Sequence, residues 1–124
     1  MMEKRRDQEL ANRLLKFATL VVRLCGQIPN TSAGNHVSEQ LVGSGTSPGA
    51  NYEEARGAQS LPDFIHKLSI ALKELKESRY WLKVILEVPM LKSESVNPLL
   101  KECEELIAII GKSVSTARRS RDAQ

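Results

Sequence analysis

Apolar residues return every three or four positions from Leu10 onward, at Leu10, Leu14, Phe17, Val21, Leu24 and Ile28. That spacing puts these side chains on one face of an α-helix, and Pro29-Asn30 closes it. The pattern predicts a first helix over about 8–28, preceded by a basic flexible end, 1–7. A second periodic set, Leu61, Phe64, Leu68, Leu72, Leu75, Leu82, Ile85 and Leu86, predicts a helix over about 61–88. Ser60 caps its start, Pro62 fits its first turn and Pro89 stops it. A third helix, over about 97–118, opens on Asn97-Pro98, read as an N-cap followed by a first-turn proline. Its acidic residues Glu102, Glu104 and Glu105 come early and Lys112, Arg118 and Arg119 come late, as the helix dipole favours. Residues 119–124 are expected to form a second basic flexible end.

Between the first two periodic segments lies SGTSPGANYEEARGAQS, residues 44–60, whose glycines, serines and proline spell loop. Yet Val37, Leu41, Ser44, Pro48, Asn51, Ala55 and Ala58 keep alternating steps of four and three. The pattern therefore predicts a helix over about 33–57, bent near Pro48, which removes a backbone hydrogen bond and crowds the preceding turn. Its inward face of small side chains allows close approach of a neighbour, and Asn51 is expected in the buried seam, fixing register. Four helices joined by short turns predict an all-α, up-down-up-down antiparallel four-helix bundle, one domain spanning 1–124. That topology gathers the N-terminus, the turn before Leu61 and the C-terminus at one end.

Composition agrees with this fold class. The chain has 124 residues, 41% of them hydrophobic and only 4% aromatic, so the core is built of Leu, Ile, Val and Ala. Cys25 and Cys103 fall on apolar faces, where thiols act as small hydrophobes. The N-terminal segment has a basic start and an apolar stretch, but Arg13, Lys16 and Arg23 interrupt it too often for a signal peptide or a membrane span. A cytoplasmic protein without a membrane partner is expected.

The apolar arc on two helices is wider than one bundle needs. With Leu68, Leu75 and Leu82 facing inward, Ile70, Tyr80, Trp81, Val84 and Val88 gather on another side. On the last helix, Leu100 and Ile107 lie beside the Cys103 and Ile110 stripe, with Ile109 left over. Two excess faces from different helices predict self-assembly, since interface cores favour aromatic and aliphatic anchors.

Net charge is only +3 but unevenly placed. No acidic residue occurs between Leu10 and Val37, and Arg13, Lys16 and Arg23 lie along one stripe with Gln27. At the shared end, Lys4, Arg5, Arg6, Arg56, Arg118, Arg119 and Arg121 are opposed by Glu3, Asp7, Glu53, Glu54 and Asp122. Such a surface, repeated around an oligomer, suits phosphate backbone rather than base edges, with salt-dependent and sequence-tolerant affinity. No aromatic residues are interleaved to stack bases.

Catalytic chemistry finds no foothold in this pattern. The Gly-rich stretch lacks the Gly-Lys-Ser/Thr ending of a phosphate-binding loop. His36 and His66 are the only histidines, and the paired Glu-x-x-His motifs of a di-iron bundle do not occur. Asn51 with Glu54, and Glu74 with Glu77, read as polar groups that fix helix register or subunit contacts. No catalytic residue, cofactor or metal site is expected.

The run from Ser44 to Leu82 resembles a bacterial four-helix-bundle family first associated with intervening sequences in 23S ribosomal RNA genes. Thr46, Ser47, Ala50, Asn51, Tyr52 and Arg56 fit its small-residue helix. Asp63, Phe64, Ile65, Lys67, Leu68, Ser69 and Ile70 fit its D-F-I-x-K-L-S-I motif, and Glu74, Glu77, Tyr80, Trp81 and Leu82 fit the acidic segment ending in Y-W-L. Pro48 and Leu61-Pro62 depart from the family pattern, the latter replacing a commonly basic pair. The resemblance implies a non-enzymatic homo-oligomer, a ring of five bundles. A more distant similarity, to accessory proteins of diversity-generating retroelements, implies contact with RNA or DNA and with a reverse transcriptase. The function expected is an oligomeric helical scaffold with weak nucleic-acid binding; the alternative is a protein-interaction adaptor without it.

Overall fold

The computed structural model describes residues 2–123, with side chains from Lys4 onward. Four α-helices follow in order, α1 (Met2–Cys25), α2 (Ser32–Arg56), α3 (Leu61–Glu87) and α4 (Ser93–Asp122), and no strand occurs among the described residues. α1 packs on α2 and α4, and α3 packs on the same two, so the four close around one core. Leu14, Phe17 and Val21 meet Leu41, Leu68, Leu75, Leu82, Ile85, Leu106 and Ile110 there, all fully buried. Each such side chain removed from water stabilises the fold by about 1.5–3 kcal/mol before entropy is subtracted.

The α1 stripe read from sequence is buried from Leu14 to Ile28, with Leu10 half-buried at its edge. The helix ends earlier than the stripe does. Its last residue is Cys25, Gly26 N–H donates to the Val22 carbonyl at 3.2 Å, and Ile28 is buried from the exit turn. Residues 2–7, expected as a flexible end, are α1's first turns. At the other terminus α4 continues to Asp122, through most of the segment read as a second flexible end.

α4 also starts before its expected cap. Lys92 occupies the N-cap without a side-chain hydrogen bond, and Pro98 lies inside the helix. The helix runs through it because Val96 and Leu99 are buried in the core, while Asn97 and Pro98 face solvent. The carbonyl of Glu94, deprived of the residue-98 N–H, sits on the watered side, where the loss costs least. α3 keeps its expected signals: the Ser60 hydroxyl accepts from the Asp63 N–H at 3.2 Å, and Pro62 occupies the first turn.

α2 is helical through all its glycines and through Pro48. Thr31 caps it, its hydroxyl accepting from Gly34 N–H at 3.0 Å. Two glycines are dictated by packing. A Cβ on Gly45 would lie 2.8 Å from Val21 Cγ1 and 2.9 Å from Cγ2, and one on Gly34 would run into the Pro29 carbonyl. The buried polar contact of this seam is not at Asn51, which is half-buried and donates within its own helix to the Ser47 carbonyl and hydroxyl at 3.0 and 2.9 Å. Instead Ser78 of α3 donates to the Ser44 hydroxyl at 3.0 Å, both side chains being essentially inaccessible. An amide at position 51 reaches its own preceding turn more easily than a partner helix. Two hydroxyls on facing helices satisfy each other in little space.

Candidate nucleic-acid interface and outward apolar faces

The predicted basic residues divide into paired and solvent-facing groups. Arg13 is paired: its guanidinium donates to both Glu102 oxygens at 3.0 and 2.6 Å and to Glu105 at 3.3 Å, tying α1 to α4. These bonds, Glu102's first, raise its pKa further. Arg56 bonds Glu53 at 3.2 Å and Gln8 at 3.4 Å, Arg118 reaches the Ser69 hydroxyl at 3.5 Å, and Arg121 pairs with Asp122 at 3.0 Å. Lys16 and Arg23 are exposed on α1, Arg23 beside an open pocket that Gln27, Pro98 and Glu102 also line.

Lys4, Arg5, Arg6 and Arg119 are exposed as well. The structure brings the beginning of α1 to the end of α2 and to the second half of α4. The Tyr52 hydroxyl donates to Asp7 at 3.3 Å, and Arg6 shares a pocket with Tyr52, Ile109 and Ser113. An open cleft of about 880 Å³ beside Lys4, Asp7, Tyr52, Arg56 and Phe64 lies at this end. The Lys4–Arg6 run occupies the first turns of α1, where the positive end of the helix dipole disfavours cations. Arg119 and Arg121, in contrast, sit in the last turn of α4, where the dipole welcomes them.

The apolar residues expected at an interface also divide. Leu100 and Ile107 are half-buried against the core, as are Trp81 and Val84, so part of the apparent excess is absorbed inside the molecule. Ile70 is half-buried, while Tyr80 and Val88 remain 60% and 58% exposed. Tyr80 stands edge-on to Trp81 at 5.1 Å between ring centroids, and His36 of α2 also stands edge-on to Trp81, at 5.8 Å. A second outward face, on α1, was missed in the sequence: Leu15 is 66% exposed and Val22 50%. Its signal was present, because Ala11, Leu15, Ala18 and Val22 repeat in steps of four and three beside the buried stripe, with Ala11 and Ala18 half-buried between the two faces. With Thr46, Gly49 and Ala50 of α2, Leu15 and Ala18 line a groove of about 530 Å³.

Over residues 6–112 the chain matches the model of the 23S rRNA-intervening sequence protein family. The chain belongs to this family. A solved structure from Bacteroides thetaiotaomicron, described as a protein of unknown function from the S23 ribosomal protein family, is 34% identical to it, with a TM-score of 0.81. That likeness covers 88% of this chain and 97% of the other. No curated protein matches the chain.

In this family member two of the remaining predicted polar residues make side-chain hydrogen bonds. Glu54 accepts from Lys67 at 3.0 Å, joining α2 to α3, and Glu77 accepts from the Trp81 indole at 3.4 Å. Burial, then the neighbouring Glu77 charge, raises the Glu74 carboxyl above its ordinary range. Burial also pushes Cys25 up to about 11 and Cys103 up to about 12, the opposite of an activated thiol. Tyr52 rises to about 12, through burial and then the charge of Asp7. Among the described residues no cluster of His, Cys, Asp and Glu is placed to hold a metal, and no helix is long and apolar enough to cross a membrane.

Proposed function

We propose that this chain is a non-enzymatic, cytoplasmic scaffold: an up-down-up-down bundle that assembles with copies of itself in a ring and holds RNA or DNA weakly by its phosphates. The alternating direction of the helices is supported by contacts that pair early with late positions, Asp7 with Tyr52, Arg13 with Glu102, and Glu54 with Lys67. Five copies is the number that the family resemblance favours. Assembly is supported by the outward Leu15, Val22, Tyr80 and Val88, since such residues grouped on two faces have no use in a lone bundle.

The nucleic-acid reading rests on the Lys4-Arg5-Arg6 run. These exposed cations stand where the α1 dipole opposes them, so helix stability does not account for their presence, and a phosphate ligand does. Arg118 and Arg119, near the end of α4, extend the same end of the molecule. The test is fluorescence anisotropy with RNA and DNA oligonucleotides of unrelated sequence at several salt concentrations. Binding should fall steeply with salt, vary little with sequence, and weaken when Lys4, Arg5 and Arg6 are changed together to Gln, while helix content is unchanged. Binding that is absent at low salt, or untouched by the triple change, refutes the reading.

The exposed Tyr80, stacked edge-on with Trp81, favours a second reading, an adaptor that recruits another protein such as a reverse transcriptase. Loss of a protein partner on Tyr80→Ala, with self-assembly and nucleic-acid binding intact, would select it.

A further inference from the structure

We infer that the outer seam between α3 and α4 holds a site for a multiply charged phosphate, a phosphate monoester or a diphosphate. The open pocket there, of about 390 Å³, is lined by Ser69, Leu72, Lys73 and Lys76 of α3 and by Arg118 of α4. Its three charged side chains are all basic and exposed, and none of the ion pairs among the described residues uses them. The fold brings them together: Arg118, 49 positions from Ser69 in sequence, reaches its hydroxyl at 3.5 Å. On the α4 side of Leu72 stands Gly111, where an added Cβ would make only ordinary contact at 3.9 Å, so internal packing does not require the glycine that keeps the seam open.

The nearby acidic residues face elsewhere. Glu77, four positions on from Lys73, accepts instead from the Trp81 indole at 3.4 Å, and Trp81 meets His36 of α2, which places this carboxylate on the α2 flank of α3. Glu74, close enough to Glu77 for their charges to couple, is half-buried. Glu104 lies further along the seam, beside Cys103 and Arg79, and Asp122 is bonded to Arg121.

Helix stability does not account for the cations. Lys76 has Lys73 and Arg79 as its neighbours three positions away, and Lys83 follows four after Arg79; like charges at such spacings weaken a helix. Packing α4 on α3 adds Arg118 to the same repulsion, and a ligand with two or more negative charges relieves it. A backbone phosphodiester carries a single charge, whereas a phosphate monoester carries about −1.5 to −2 at pH 7. Three cations lining one pocket therefore match an end group better than an internal link of a strand. No aromatic side chain lines the pocket, so it reads the phosphate and not a base. Two sources carry such a group, the phosphorylated end of a nucleic-acid strand and a free nucleotide.

The site is separate from the Lys4-Arg5-Arg6 run, and calorimetry of the full chain can tell the two apart. Titration with pyrophosphate at low salt should find binding that weakens about tenfold or more in the double variant Lys73→Gln/Lys76→Gln, weakens also in Arg118→Gln, and is unchanged when Lys4, Arg5 and Arg6 are changed together to Gln. Circular dichroism establishes that each variant folds, and sulfate should bind clearly more weakly than pyrophosphate. ADP against adenosine, and one oligonucleotide with and without a 5′-phosphate, identify the source: preference for the phosphorylated strand marks a strand end, and preference for ADP alone marks a free nucleotide. Absent pyrophosphate binding, equal binding of sulfate, no change in the double variant, an equal loss in the triple variant, or no preference in either comparison overturns the site. Intact pyrophosphate binding beside an oligonucleotide that does not bind through its backbone would sink the scaffold reading and leave this site standing.

Discussion

Gly43 and Gly45 lie two residues apart in α2, and alanine at each should move stability in opposite directions. Gly→Ala in a helix interior gains about 1 kcal/mol from backbone entropy alone. At Gly43, where an added Cβ meets nothing, that gain should appear whole and raise Tm by roughly 4 °C. At Gly45 the new Cβ would fall within 3.1 Å of Val21 Cβ, Cγ1 and Cγ2. Val21 is fully buried and, as a β-branched residue in a helix, has one strongly preferred rotamer, so α1 and α2 must move apart. Overpacking costs about 1–3 kcal/mol, and two contacts under 3.0 Å on a rigid buried side chain put this case in the upper part, about 2–3 kcal/mol, which leaves a net loss of about 1–2 kcal/mol after the helix gain. In a Val21→Ala background the two methyl contacts are gone and only the Cβ contact at 3.1 Å is left, so Gly45→Ala should lose most of its cost, a coupling of about 1–2 kcal/mol. Urea unfolding followed by circular dichroism, at a concentration where the chain is monomeric, measures all of these. Equal losses for Gly45→Ala with and without Val21, or a gain at Gly45 matching that at Gly43, would refute the reasoning.

Other changes test the remaining contacts. Cys103 and Cys25 are neutral in the fold up to pH values above those of free thiols, so the unfolded chain releases these protons first. Stability should be flat below the ordinary thiol pKa of 9.0 and fall as pH rises from there toward 12, and Cys103→Ala should flatten much of that slope in unfolding curves taken at about pH 8 and about pH 10.5. Glu102→Ala removes the two-point hold on Arg13 and should cost about 0.5–1 kcal/mol at low salt and less at high salt, since both partners are partly exposed. Ser60→Ala uncaps α3 and should cost about 1 kcal/mol in the same urea assay.

The helices themselves were largely legible in the sequence. The α1 stripe from Leu14 to Ile28 is buried as its period required, and the small-residue steps from Val37 to Ala55 proved helical despite three kinds of loop residue. What misled was local chemistry overruled by packing. Asn97-Pro98 has the form of a helix start, but burial of Val96 holds the turn before it in the helix. Asn51 has the form of a register-setting buried amide, but it bonds to Ser47, and the inaccessible polar pair is Ser44 with Ser78. The candidate surfaces were legible only in part, because exposure depends on neighbours. Arg13 joined a basic stripe in sequence and is held by Glu102, 89 positions away. Leu15 and Val22 were passed over beside a stronger stripe, although their own spacing marks a second face.

The most direct test of the scaffold account is the absolute mass of the wild-type chain by light scattering, in low and in high salt. Apolar faces meeting between copies predict a fixed multiple of the 13.8 kDa protomer that survives high salt, because burial of Tyr80 and Leu15 does not depend on screened charge. A mass of one protomer in both conditions would contradict it.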